Sequence, residues 1–78
     1  MLTEDEKRRL AELYNTGYEK FFSESERAKS ARKELSEFLN ELHQRECPRQ
    51  PFKDFRNGCF QMAKLWLKAN QPNYPFLH

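Results

Sequence analysis

Arg49, Lys53, Arg56, Lys64 and Lys68 are the side chains whose spacing best suits chemistry, and that chemistry is the binding of anions. At about 100° per residue, a helix over residues 51–70 gathers Lys53, Arg56, Phe60, Lys64 and Lys68 on one face, about a third of the circumference wide. Arg49 precedes them on a similar bearing, and the one acid of this stretch, Asp54, projects to the side. A row of cations neutralises phosphates, and an exposed Phe60 ring would stack on an unpaired base. These six residues are therefore the candidate nucleic-acid-binding set. The competing readings are a plain solvated face that happens to be basic, or one that meets an acidic protein. A smaller cluster, Lys7-Arg8-Arg9, is diluted by Asp5, Glu6 and Glu12 and reads as a solvated helix turn.

Other constellations are thinner. His43 and Cys47 are spaced so that one helix face could offer both to a metal, and Cys59 with His78 would complete a four-ligand zinc set. There is no Cys-x-x-Cys pair, however, and Pro48 adjoins one ligand. The expectation is a core cysteine, a surface histidine and no metal. Whether Cys47 and Cys59 form a disulfide stays open. Carboxylate pairs such as Glu37 and Glu41 are common on solvated helices. No nucleophile sits in a Ser-His-Asp context, and no glycine-rich loop could cradle phosphate. So short a chain also has little room for a sequestered pocket. The reading is a non-catalytic binding module with no cofactor and no small-molecule substrate.

Three helices must position these groups. The first, about 4–22, opens at Thr3, with Glu6 placed to complete a capping box and acids at 4, 5 and 6 facing the positive end of the dipole. Leu10, Leu13, Tyr14, Tyr18, Phe21 and Phe22 share one face at helical spacing. Gly17 lies on that stripe, where close approach of another backbone would explain it. The second helix, about 25–45, follows Ser23-Glu24-Ser25-Glu26, where Ser25, or Ser23 with Glu26, would serve as cap. Its stripe is Ala28, Ala31, Leu35, Phe38, Leu39 and Leu42, small at first and bulky later. The third, about 51–70, starts at Pro51 and is stopped by Pro72. Its stripe is Phe52, Phe55, Cys59, Met62, Ala63 and Trp66, with Leu67 left over among the surplus apolar side chains. Residues 71–78 form an extended aromatic tail that covers core edges or presents a short binding segment. The fold expected is all-α, a small three-helix bundle in one domain over residues 1–78.

The chain has 78 residues, a third of them charged, and the 7 Phe, 3 Tyr and 1 Trp supply enough apolar area for one core. Net charge is +2. Signs are mixed through residues 1–46, and the positive excess falls after residue 46, where only Asp54 opposes the five cations. The acidic start, Met1-Leu2-Thr3-Glu4-Asp5-Glu6, does not resemble a signal peptide. No apolar run approaches the ~20 residues of a membrane span. With two cysteines and no secretory signal, a reduced, cytoplasmic protein is expected.

Basic residues leading into Leu-Ala-Glu-Leu-Tyr-Asn-Thr-Gly-Tyr, residues 10–18, resemble the first helix of the ribosome modulation factor family. Glu46-Cys47-Pro48 followed by Gln50, and Phe55-Arg56-Asn57-Gly58-Cys59-Phe60, are similar to two further segments of that family. The likeness covers about thirty residues in two patches. Arg49 stands where the family has an aromatic, the single tryptophan is Trp66, and the whole second helix separates the patches. The resemblance implies a small cytoplasmic protein that binds ribosomal RNA and favours an inactive ribosome. The rival expectation is a protein-interaction module, a homodimer, adaptor or inhibitor, without a nucleic-acid role.

Overall fold

Thr3 and Glu6 start the first helix by exchanging hydrogen bonds. The Thr3 hydroxyl accepts from the Glu6 N–H at 3.1 Å, and Glu6 Oε1 accepts from the Thr3 N–H at 2.9 Å. The computed structural model describes residues 2–74. It is a three-helix bundle: α1 over Glu4–Tyr14, α2 over Glu26–Glu46 and α3 over Phe52–Asn70. Ser25 caps α2, its hydroxyl accepting from the Ala28 N–H at 3.1 Å. Pro51 is the residue just before α3, and its carbonyl accepts from the N–H groups of Asp54 and Phe55. Past α3, the Tyr74 N–H donates to the Gln71 carbonyl in a turn. Residues 71–74 of the expected tail are thus described, and 75–78 lie outside the described residues.

The first helix departs from expectation at its end. Residues Asn15–Glu19 continue α1 as a π-helical turn, closed by the Lys20 N–H donating to the Asn15 carbonyl at 2.8 Å. The helix therefore stops short of residue 22. Packing explains the wider turn. Ala28 and Ala31 let α2 come close, and a Cβ on Gly17 would lie 2.9 Å from Arg32 Cγ and 3.4 Å from the Arg32 nitrogen. The Gly17 carbonyl turns outward to accept from Arg32 Nη1 at 3.0 Å, while Arg32 Nη2 donates to the Ser23 carbonyl at 2.7 Å. One guanidinium thereby ties down both ends of the link from α1 to α2.

Leu10, Ala11 and Tyr14 of α1, Leu35, Phe38, Leu39 and Leu42 of α2, and Cys59, Ala63 and Leu67 of α3 make the core. Each buried leucine contributes roughly 1.5–3 kcal/mol of transfer free energy. Arg45 of α2 clamps the start of α1, its Nη1 and Nη2 donating to the two Glu6 oxygens at 2.6 and 3.0 Å. This fork holds the Glu6 carboxyl down at about 2 and raises the Arg45 guanidinium further.

The buried face of α3 is rotated from the one the sequence suggested. Cys59, Ala63 and Leu67 are its fully buried residues, whereas Phe52, Phe55, Met62 and Trp66 are only partly covered. At about 100° per residue the true centre lies about 50° round toward the basic face. Leu67 joins the core, at 1% exposure, and Leu65 is left in solvent at 66%.

Candidate nucleic-acid interface

The rotation of α3 changes what Phe60 and Arg56 do. Phe60 was expected in solvent, but its ring packs on Tyr14 and Tyr18, with centroids 5.1 and 5.4 Å away. The π-helical turn carries Tyr18 across to meet it. Phe60 is a half-buried member of an aromatic cluster, and Tyr18, 46% exposed, is the ring that faces water. Arg56 was likewise expected in the solvated row. It lies half-buried in the seam between α3 and α2, with its guanidinium 6.0 Å from the Phe60 centroid. Its Nε–H is buried and has no hydrogen-bond partner.

Tyr18, Arg32, Leu35, Ser36, Leu39, Phe52, Arg56 and Phe60 line a cleft of about 110 Å³ between α2 and α3. The α2 wall is Arg32, Leu35, Ser36 and Leu39, and the α3 wall is Phe52, Arg56 and Phe60. Arg32, Ser36, Leu39 and His43 share one helical row, and Lys53, Arg56, Phe60 and Lys64 share another. Neither row contains a carboxylate. Among the described residues the ion pairs are Lys7–Glu4, Arg8 with Asp5 and Glu12, Lys29–Glu26, and Arg45 with Glu6 and Glu46. They gather on α1 and α2, and no cation of α3 takes part. Lys53 and Lys68 are exposed and Lys64 is half-exposed, all on the continuous helix α3. Arg49 is exposed in the turn between α2 and α3. Asp54 lines a different groove, with Leu2, Phe55, Gly58 and Met62 on the α1 side of α3. The nearby carboxylate of Glu19 is engaged within the aromatic cluster, its Oε1 accepting from the Tyr14 hydroxyl at 3.0 Å. Burial, then that carboxylate, push the Tyr14 phenol above its ordinary range.

The other candidates resolve differently. His43, expected at the surface, is 8% exposed and sits edge-on to Phe52, with ring centroids 5.4 Å apart. Its Nε2 is 2.6 Å from the Gln50 carbonyl, which can only accept, so Nε2 carries the proton and donates. Cys47 and Cys59 are free thiols. Burial, then the neighbouring Cys47, push the Cys59 thiol up to about 11. Among the described residues no three metal-ligating side chains converge, and His78 lies outside them. No described helix is long and apolar enough to cross a membrane.

The sequence reading missed Arg32 and Tyr18. Arg32 lies outside the apolar stripe of α2, yet it falls in the row Ala28, Arg32, Leu35, Leu39, His43, the second edge that α2 needs to touch α3. No known family model, curated protein or solved structure matches this chain.

Proposed function

We propose that this protein is a non-catalytic module that binds nucleic acid through the cationic cleft and rim formed by α2 and α3. The observation that carries the reading is the sign segregation. Lys53, Arg56, Lys64 and Lys68 of α3, with Arg32 of α2 beside them, have no ion-pair partner among the described residues, and the one acid of α3, Asp54, lines the opposite groove. Lys7, Arg8, Lys29 and Arg45 are paired, and the other cations without an ion pair on the first two helices and their link, Arg9, Lys20, Arg27 and Lys33, lie in stretches rich in acids. Unpaired cations along one helix, flanked by aromatic rings, fit a phosphate backbone. An RNA partner also agrees with the family resemblance of residues 10–18 and 46–60.

A salt titration tests this. For a single strand, log K falls by about 0.7 per phosphate contact for each unit of log salt, so four contacts give a slope of about −3. The Lys64→Ala, Lys68→Ala variant should bind more weakly and lose about 1.4 from that slope. Absence of binding to RNA and DNA at low salt would remove the reading.

A second reading has its own support. The groove on the α1 side of α3, about 520 Å³, is apolar at Leu2, Phe55, Cys59 and Met62 and polar at its rim. Such a surface suits a protein partner or a second copy of the chain. Sedimentation at several concentrations separates the two. A strict monomer that binds nucleic acid favours the first, and a dimer indifferent to nucleic acid favours the second.

A further inference from the structure

Arg56 lines the α2–α3 cleft with Arg32, its Nε–H buried without a partner and its terminal Nη groups making no ion pair among the described residues. The buried Nε–H anchors no part of the protein, so the partly exposed terminal N–H groups of Arg56 are the donors left for a ligand acceptor. The second guanidinium of the cleft is already fixed, because Arg32 is anchored to the Gly17 and Ser23 carbonyls. Neither guanidinium faces a carboxylate in an ion pair among the described residues. Two oriented guanidinium groups with spare N–H donors make a site for one phosphate group, which accepts from several donors at once.

Tyr18 also lines this cleft, with the Arg32 guanidinium 6.0 Å from its ring centroid. Its ring leans on Phe60 at 56° and on Tyr14 at 31°, with centroids 5.4 and 5.5 Å away, so it is braced from behind. Nearly half its surface stays open. It reaches this position through the π-helical turn, a feature that often accompanies functional sites. A braced, partly exposed ring beside two guanidinium groups matches the repeating unit of an unpaired strand, a base next to a phosphodiester.

We infer that the α2–α3 cleft is a single-nucleotide subsite: Arg56 and Arg32 hold one phosphodiester while the adjoining base stacks on Tyr18. The subsite thus selects single strands, because a duplex keeps its base faces inside its own stack. It rests on the nucleic-acid reading and adds to it the form of the strand recognised.

The test measures fluorescence anisotropy of labelled twelve-nucleotide oligouridylate and oligothymidylate, and of a duplex of the same length, at low salt. Tyr18→Leu keeps apolar contact with Phe60 and Tyr14 but removes the flat ring, and Tyr18→Phe keeps the ring. The expected result is that Tyr18→Leu weakens both single strands about tenfold and leaves the duplex unchanged, with Tyr18→Phe restoring the wild-type value. Arg56→Gln should weaken single strands, with helicity by circular dichroism unchanged. Wild-type binding that is indifferent to Tyr18→Leu overturns the subsite and leaves the electrostatic reading standing. A wild-type protein that binds none of the probes overturns both.

Discussion

Two alanine substitutions, one at each glycine, should move stability in opposite directions. Gly58 is exposed in the interior of α3, and nothing lies within 4 Å of where its Cβ would go. Alanine there removes backbone freedom from the unfolded chain, worth about 0.5–1 kcal/mol. Gly17 has the same intrinsic cost, but its added Cβ meets Arg32 Cγ at 2.9 Å and the Arg32 backbone nitrogen at 3.4 Å. The Cγ lies near the root of the side chain, so it cannot retreat without disturbing the bonds to Gly17 and Ser23. Overpacking of this kind costs about 1–3 kcal/mol, which outweighs the entropic gain. For a domain of this size 1 kcal/mol moves Tm by about 4–8 °C. Thermal unfolding followed by circular dichroism should therefore show Gly58→Ala a few degrees above wild type and Gly17→Ala several degrees below. In an Arg32→Ala background most of the cost of Gly17→Ala should vanish, because the two sites touch. If Gly17→Ala stabilises as much as Gly58→Ala, the close approach of α2 to the π-helical turn is wrong.

Further consequences can be measured with the same protein. Glu6 is depressed to about 2 from an ordinary 4.5 by Arg45, so its contribution to stability is complete above about pH 4.5 and is lost as pH falls through about 2. The decline of Tm over that range should be shallower in Arg45→Met, and an identical decline would contradict the clamp. Leu39→Ala, at a residue 2% exposed, should cost about 2–5 kcal/mol, which threatens the fold of so small a domain; denaturant titration reads it, and a loss under 1 kcal/mol would contradict the packing. Ser25→Ala should cost about 1 kcal/mol by the same titration, through the lost bond to the Ala28 N–H. A thiol reagent near neutral pH should modify half-buried Cys47 well before Cys59, which is 3% exposed and pushed up to about 11; mass spectrometry of the partly labelled protein would show the order.

The elements were legible wherever a local signal carried them. Thr3 with Glu6, Ser25 before α2 and Pro72 after α3 marked helix ends that the structure bears out. Gly17 opposite the alanine-lined start of α2 marked the close approach. The face of α3 was not legible to the same degree. From Met62 round to Leu67 its apolar side chains span about two fifths of the circumference, at about 100° per residue, so a helical projection cannot place the centre of burial. The partner decides it, and here the partner includes Tyr14 and Tyr18, brought to Phe60 by a π turn that no periodicity announces. His43 was misplaced, and Arg32 passed over, for a related reason. Each directly follows a residue of the α2 stripe, and α2 buries that second edge because it touches two helices rather than one. The basic row survived in altered form: Lys53, Lys64 and Lys68 stay on the solvent side while Arg56 moves into the seam.

Mapping of amide chemical-shift changes on adding oligouridylate at low salt tests the central claim most directly. A cationic α2–α3 cleft predicts that the largest changes gather at Tyr18, Arg32, Ser36, Arg56 and Lys64, and that they fade as salt is raised. Changes centred instead on Leu2, Gly58 and Met62 in the opposite groove, or none at all, would contradict it.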